Sequence, residues 1–241
     1  MASTRPAAGQ RRTSIRERAA PQPSKRDRVV KGYAVAGLLA LAIFLIFLFG
    51  YLYSYGLLSV TSYEALATIS LSISFPLIAI SYMVYKCGSF RQVFTDLGLG
   101  RDRLTTKNIM IGVMLFLAIL LLEIGLYAFQ QLTHIQLPTN VAEIYAGFPV
   151  WFFILTFTLI PIDEEILFRG FMVPRIGIVL AALIFAILHL SYLSISEFVA
   201  AFVYALLAGY VFKRTNSLYT TIIAHALVNA LAVSMFLSII L

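Results

Sequence analysis

The strongest constraint on the fold is a series of long apolar runs separated by short polar segments. Most of these runs are close to the ~20 residues with which an α-helix crosses a bilayer. They cover roughly residues 33–53, 65–85, 108–129, 148–168, 176–193, 197–212 and 216–241. Hydrophobic residues make up 61% of the chain and charged residues only 12%, which excludes an ordinary soluble domain. The sequence therefore predicts an all-α, polytopic transmembrane helical bundle with about seven spanning helices.

The distribution of Lys and Arg predicts the orientation of this bundle. The 18 basic residues lie in the amino-terminal tail, in the segment Lys86 to Lys107, and at the ends of the fourth and sixth runs. The alternate loops contain none and carry Glu64, Glu143 and Glu197 instead. Because basic residues concentrate on the cytoplasmic side, the amino terminus is predicted to be cytoplasmic. The single cysteine, Cys87, excludes an internal disulfide framework.

The chain divides into a basic tail and a membrane domain. Residues 1–32 are rich in Arg, Pro, Ser and Gln, and we expect a disordered cytoplasmic tail attracted to anionic lipids. The tail lacks interleaved aromatic residues, so no nucleic-acid partner is expected. Residues 33–241 form the predicted transmembrane domain, whose expected location is the cell membrane. The segment Lys86 to Lys107 is expected to be a solvated loop with a short helix at FRQVF.

The stretch PIDEEILFRG, Pro161 to Gly170, places charges at the end of an apolar run. Ionised side chains at membrane depth are costly and persist when they are paired or face a wet cavity, so such residues indicate function. Glu165 and Arg169 are spaced i,i+4 and can form an ion pair, whereas Glu164 projects about 100° away without that partner. Pro161 predicts a kink beside these acids. Asp163 is not included in the predicted site.

Two further helices bring polar residues to a comparable depth. His189 follows about thirteen residues after Ile176, and His225 and Asn229 lie about ten and fourteen residues after Thr215, all roughly 15 to 21 Å from the predicted cytoplasmic end. His225 and Asn229 share one helix face. The three helices are therefore expected to converge on one layer. Each feature alone also fits helix packing, since buried ion pairs and histidines often serve as interhelical contacts.

Together these residues resemble the CAAX prenyl protease and bacteriocin-processing intramembrane proteases, also called the Abi family. The family pattern is EExxxR, FxxxH and HxxxN or HxxxD. This chain carries Glu164, Glu165 and Arg169, then Phe185 and His189, then His225 and Asn229, in that order. The resemblance covers a catalytic core of about residues 148–233 and implies a helical membrane protease whose site opens to the cytoplasm.

By this resemblance, Glu164 and His189 activate the attacking water, and Glu165 with Arg169 organises the site. His225 and Asn229 stabilise the oxyanion. The chemistry of the residues is compatible with these roles, because the glutamate without an arginine partner is the better general base. A histidine and an asparagine one turn apart can direct N–H groups at one oxygen. The implied partner is a peptide or membrane-protein substrate, with or without a prenyl group.

Other functions remain open from the sequence. The chain contains neither the HExxH of zinc intramembrane proteases nor the GxSG of rhomboids. No metal cofactor is expected, although a Zn²⁺ ion held by His189, His225 and a glutamate is an alternative. A transporter with a charged cavity and a catalytically silent immunity or scaffold protein are the alternatives to an enzyme. Glu123 is expected to line the cavity or to pair with a polar neighbour, and His134 to lie in a loop.

Overall fold

A computed structural model describes residues 47–87, 89–134, 148–192 and 194–240, together with positions 24, 37, 41, 43–45 and 146. The predictions for the basic tail, residues 1–32, fall almost entirely outside these residues. Within them the chain is helical apart from turns and contains no strand. Residues 47–54 are helical. The helices that follow are α1 (Val60–Cys87), α2 (Phe90–Asp96), α3 (Thr106–Thr133), α4 (Val150–Phe157), α5 (Leu159–Glu165), α6 (Val173–Ile176), α7 (Ile178–Leu188), α8 (Ile195–Thr215) and α9 (Leu218–Ile240).

The predicted fold class is confirmed, because the chain forms a helical bundle with an apolar exterior. Four helices in the described part of the chain are long and apolar enough to cross a membrane: Thr61–Cys87, Thr106–Thr133, Ile195–Thr215 and Leu218–Ser238. On α3, side chains such as Met114 and Leu121 are 65% and 69% exposed, which suits contact with lipid. This is an integral membrane protein. The count of about seven spans stays a prediction, since much of the first run lies outside the described residues.

The fourth apolar run is a broken helix. Helix α4 ends at Phe157, Thr158 is a turn residue with distorted helical angles (φ −112° and ψ −72°), and α5 begins at Leu159. The break lies three residues before Pro161, which cannot donate a hydrogen bond to the preceding turn and clashes with it. A π-helical segment, Ile166–Met172, follows α5 and leads into α6. The predicted kink is therefore present, and the acidic pair lies between it and the π-helical turn.

The segment between α1 and α3 is more deeply packed than a solvated loop. The short helix predicted at FRQVF is present as α2, and Ser89 caps it by accepting a hydrogen bond from the Gln92 amide. Val93 and Leu97 are fully buried, and the Leu218 amide donates a 3.1 Å hydrogen bond to the Gly98 carbonyl. Gly98 has φ +80°. The apolar side of this segment thus covers the start of α9, because burying Val93 and Leu97 is more favourable than exposing them.

Helices α3 and α9 make the most extensive contact in the bundle. Gly112 on α3 permits this approach, because a Cβ at that position would lie 2.7 Å from the Thr220 carbonyl oxygen. Small residues allow two membrane helices to pack backbone to backbone. This contact holds α9, and with it His225, against the rest of the bundle.

We expect Gly112→Ala to destabilise the protein by about 1–3 kcal/mol, since the added methyl group forces α3 and α9 apart. Gly125→Ala on the same helix is the matched control, because nothing lies within 4 Å of a Cβ there. This control should be neutral or stabilising by up to about 1 kcal/mol. Thermal unfolding in detergent measures both variants, and equal melting temperatures would contradict the importance of the contact.

Candidate functional site

The candidate site forms where the broken helix meets α8 and α9. Glu164 and Glu165 are the last residues of α5, and Arg169 lies one turn later in the π-helical segment. His225 projects from α9 toward both glutamates. These four residues, which the sequence places on two separate runs, are in direct contact. A π-helical turn is uncommon and is found often at functional sites.

Glu165 and Arg169 form a buried ion pair. Their side chains are 0% and 1% exposed, and the Glu165 Oε1 to Arg169 Nη1 distance is 3.0 Å. This contact is a close ion pair rather than an aligned hydrogen bond, because Nη1 and Nη2 have no hydrogen-bond acceptor among the described residues. The guanidinium lies 4.6 Å from the Phe185 ring centre and 4.9 Å from that of Tyr204. Two aromatic faces thus stabilise the buried cation.

His225 lies between the two glutamates. Its Nδ1 is 3.0 Å from Glu165 Oε1, and its Nε2 is 3.6 Å from Glu164 Oε2. A carboxylate only accepts hydrogen bonds, so Nδ1 carries the proton of the bond to Glu165. In the neutral ring Nε2 is then the unprotonated nitrogen, and it is directed to the Glu164 side. The buried pair therefore sets both the tautomer and the direction of His225.

Glu164 has a different environment from its neighbour. Its side chain is 25% exposed, and its contact with His225 Nε2 is longer than a hydrogen bond. Glu165 is completely enclosed and accepts hydrogen bonds from His225 and Tyr204. The adjacent acids are consequently divided into one fully enclosed carboxylate, which accepts two hydrogen bonds, and one that is partly exposed.

His189 ends α7 and begins a short 3₁₀ turn, His189–Tyr192. Its Nδ1 lies 2.9 Å from the carbonyl oxygen of Phe185, so this nitrogen also carries the proton of its bond. Phe185 is 1% exposed, and its ring lies 4.5 Å from the His189 ring and 4.6 Å from the Arg169 guanidinium. The spacing of Phe185 and His189 thus places one aromatic ring against both the cation and the imidazole.

Asn229 lies one turn after His225 on α9 and faces the same cavity. Its amide nitrogen donates a 2.8 Å hydrogen bond to the carbonyl oxygen of Thr156, near the end of α4. This bond crosses to the broken helix and ties α9 to the break. The expected proximity of His225 and Asn229 is therefore present, with one amide hydrogen already engaged.

A small polar cavity joins the two histidines and Asn229. It measures about 80 Å³. Its wall also includes two acids that are not in the predicted site, Glu123 on α3 and Glu197 on α8. From the sequence Glu197 belongs to an outer loop, but it lies in the first turn of α8 behind the capping residue Ser194. The expectation that Glu123 lines the cavity agrees with its position.

An apolar groove between α3 and α8 adjoins this cavity. It measures about 360 Å³ and shares Glu123, Ala200 and Tyr204 with the polar cavity. Its other walls are almost entirely aliphatic and comprise Ile119, Leu121, Leu122, Gly125, Leu126, Val199 and Val203. A groove of this chemistry suits an extended apolar chain that reaches the polar residues from the lipid.

Both cavities lie toward one end of the bundle. Their residues on α8 run from Glu197 to Tyr204, in the half of that helix away from Lys213 and Arg214. At the basic end, α2 and the turn after it pack over the start of α9. In the predicted orientation the cavities therefore extend into the non-cytoplasmic half. This differs from the cytoplasmic opening that the resemblance implies.

Tyr204 is the contact residue that sequence reasoning missed. Its hydroxyl donates a 2.9 Å hydrogen bond to Glu165 Oε1, and its ring lies 4.8 Å from that of His225. In the sequence it is one of 13 tyrosines, in an apolar run, and no spacing rule connects it to Glu165, which is 39 residues away. Only the packing of α8 against the π-helical segment brings the two together.

Comparisons with known proteins agree with the motifs. The family described as type II CAAX prenyl endopeptidase Rce1-like matches residues 146–231. A segment of 73 residues is 38% identical to an uncharacterized protein YpbD of Bacillus subtilis (strain 168), and it covers 30% of this chain and 39% of that relative. No solved structure matches.

The matched family segment contains every residue of the site predicted from the sequence. It begins before α4 and ends within α9, so it includes both glutamates, Arg169, both histidines and Asn229. The matching family is described as one of endopeptidases. The resemblance of residues 146–231 to the CAAX prenyl protease and bacteriocin-processing family, and within it to the Rce1-like endopeptidases, is therefore confirmed.

Proposed function

We propose that this protein is an intramembrane endopeptidase of the glutamate type, which hydrolyses a peptide bond with water activated by Glu164 and His189. One observation carries the proposal. Glu164, whose side chain is 25% exposed, lies beside the Glu165–His225 pair, and the cavity that His225 lines also contains a second histidine and an amide. This set supplies a proton acceptor, an oriented imidazole and hydrogen-bond donors within one layer.

In the proposed reaction, Glu164 takes one proton from the water while the water oxygen bonds to the peptide carbonyl carbon. His189 assists this step through its Nε2, because its Nδ1 is hydrogen-bonded to the Phe185 carbonyl. The tetrahedral intermediate then collapses, the C–N bond breaks, and the proton held by Glu164 passes to the leaving nitrogen. The oxygen of the former carbonyl carries negative charge until that collapse and needs donors near it.

His225 and Asn229 are the proposed oxyanion donors, and the geometry sets a condition for each. His225 Nδ1 is bonded to Glu165, so donation to the oxyanion comes from a protonated Nε2. Asn229 donates with the amide hydrogen that Thr156 does not use. Glu165 and Arg169 act by holding His225 in place.

The proposed substrate is a peptide segment of a membrane protein or of a lipid-anchored, for example prenylated, protein. The aliphatic groove between α3 and α8 supports this class, because it leads from the lipid-facing exterior to the polar cavity. We also propose that the cell membrane is the location and that anionic lipids bind the basic tail, where nine basic residues precede residue 32.

We propose a reaction without a metal cofactor. Among the described residues, no three His, Cys, Asp or Glu side chains converge in a way that could hold a metal ion. Glu165 contacts His225 and is paired with Arg169, so a cation bound there would be repelled by the nearby positive guanidinium. Nδ1 of each histidine is directed at protein, to Glu165 or to the Phe185 carbonyl.

We therefore expect the purified protein to keep most of its peptidase activity after exhaustive chelation. Elemental analysis of the same sample establishes that the protein is metal-free. Loss of activity on chelation, with recovery on adding one equivalent of Zn²⁺, would instead make His189, His225 and a glutamate metal ligands.

The proposed function is tested in proteoliposomes. The wild-type protein and the Glu164→Gln variant are incubated with membrane-embedded peptides, and mass spectrometry identifies cleavage products that only the wild-type protein forms. Solute flux is measured in the same vesicles. Solute flux without peptide cleavage would indicate a transporter and contradict the proposed peptidase. If the protein shows neither flux nor cleavage, the alternative of a catalytically silent immunity or scaffold protein is favoured.

A further inference from the structure

We propose that Tyr204 is a positioning residue of the site, which orients the Glu165–His225 pair through its hydroxyl group. The inference rests on the proposed peptidase function for its kinetic consequence, but its structural consequence can be measured without any substrate. Tyr204 belongs to α8, lies outside the three sequence motifs and is 6% exposed.

The hydroxyl of Tyr204 completes a set of three groups around one oxygen atom. Glu165 Oε1 lies 2.9 Å from the Tyr204 hydroxyl, 3.0 Å from His225 Nδ1 and 3.0 Å from Arg169 Nη1. These groups come from three different elements, α8, α9 and the π-helical segment. Two hydrogen-bond donors and one close cation, which converge from different directions, leave a carboxylate little rotational freedom.

The orientation of Glu165 determines what His225 can do. Because Glu165 accepts a hydrogen bond from Nδ1–H, Nε2 is directed toward Glu164. A carboxylate that is free to rotate would allow the imidazole to turn or to exchange its tautomer, and Nε2 would lose that direction. Tyr204 therefore acts on the reaction through Glu165 and then His225, without contact with the substrate bond.

Tyr204 is also placed where the substrate route meets the site. It lines both the aliphatic groove and the polar cavity, next to Val203 and Ala200 on the same helix. Its hydroxyl lies 3.3 Å from the Thr221 carbonyl as well as 2.9 Å from Glu165. The single hydroxyl proton thus has two acceptors, and the shorter contact is the one to Glu165.

The test compares Tyr204→Phe with Tyr219→Phe. Phenylalanine keeps the ring that packs on Arg169 and His225 and removes only the hydroxyl group. Tyr219 is the matched control, because its hydroxyl donates a 3.1 Å hydrogen bond to the Leu99 carbonyl, away from the site. We expect Tyr204→Phe to lower kcat about ten- to a hundredfold, as is usual when a group that orients a reacting side chain is lost. KM should change less than about twofold, and Tyr219→Phe should affect neither constant.

The second measurement is nitrogen NMR of histidine-labelled protein. The chain has three histidines, so the His225 signals are assigned by replacing His134 and His189. In the wild-type protein we expect one tautomer with the proton on Nδ1, and in Tyr204→Phe a change of the His225 signals that Tyr219→Phe does not cause. Unchanged His225 signals, or an equal loss of kcat in both tyrosine variants, would overturn the proposal. If the wild-type protein cleaves no peptide, the proposed function fails, and the spectra still decide the role of Tyr204.

Discussion

Replacing Glu164 with Gln is expected to reduce peptide cleavage by about 10²- to 10⁴-fold, the range that a general base contributes. Glutamine keeps the size of the side chain but cannot accept the proton from water. The fold should survive, because the Glu164 side chain is 25% exposed and its contact with His225 is a 3.6 Å approach rather than a buried hydrogen bond. The measurement is kcat with a membrane-embedded peptide, together with thermal unfolding of the same sample.

The matched control for this prediction is Glu64→Gln, which removes the same charge near the start of α1. Glu64 is exposed and lies outside the candidate site, so kcat should stay at the wild-type value. A Glu164→Gln protein that cleaves at the wild-type rate would contradict the assignment of Glu164 as the base. Loss of activity in both variants would point to a general effect of charge instead.

The structure explains why Glu164 rather than Glu165 is the proposed base. Glu165 is fully buried, and its Oε1 already accepts hydrogen bonds from His225 and Tyr204 beside the Arg169 cation. A carboxylate stabilised by three such neighbours is a poor proton acceptor. Glu164 lacks the arginine and is 25% exposed. Two adjacent acids with the same side chain are thus given different chemistry by their surroundings.

Much of this arrangement could be predicted from the sequence because it depends on helix periodicity. The i,i+4 spacing of Glu165 and Arg169 predicts their ion pair, and the 3.0 Å contact confirms that geometry. Pro161 predicts the break, since a proline interrupts the hydrogen bonds of the preceding turn. The convergence of His225 with the glutamates follows from helix lengths at 1.5 Å per residue.

Features that depend on packing between distant elements could not be predicted in this way. The Tyr204 contact with Glu165 needs the register of α8 against the π-helical segment, which no local pattern encodes. The hydrogen bond between His225 and Glu165 joins distant parts of the chain, so no local pattern predicts it. The hydrogen bond from His189 to the Phe185 carbonyl depends on the side-chain rotamer of His189, which the sequence does not specify. The burial of Leu97 was missed because glycines and charges around it are typical of a solvated loop. Glu197 was placed outside the site because helix boundaries are the least certain part of a sequence prediction.

The second large effect is expected on stability, from Arg169→Ala. This change leaves Glu165 as an unpaired carboxylate at 0% exposure, and removing one partner of a buried ion pair typically costs about 3–5 kcal/mol. It also removes the guanidinium from between Phe185 and Tyr204, whose ring centres lie 4.6 and 4.9 Å from it. Thermal unfolding in detergent should show a much lower melting temperature than for the wild-type protein.

Arg175→Ala provides the matched control for that measurement, because it removes an arginine from α6, the helix that directly follows the π-helical segment. Arg175 also lies over a phenylalanine ring, Phe171, at 4.0 Å, but its side chain is exposed. An exposed cation contributes about 0.5–1 kcal/mol through such a contact, so only a small loss of stability is expected.

A second variant, Arg169→Met combined with Glu165→Gln, should recover part of the stability lost in Arg169→Ala, since no charge is then buried alone. Equal destabilisation by Arg169→Ala and Arg175→Ala, or no recovery in the double variant, would mean that the buried charge of Glu165 is not what Arg169 balances.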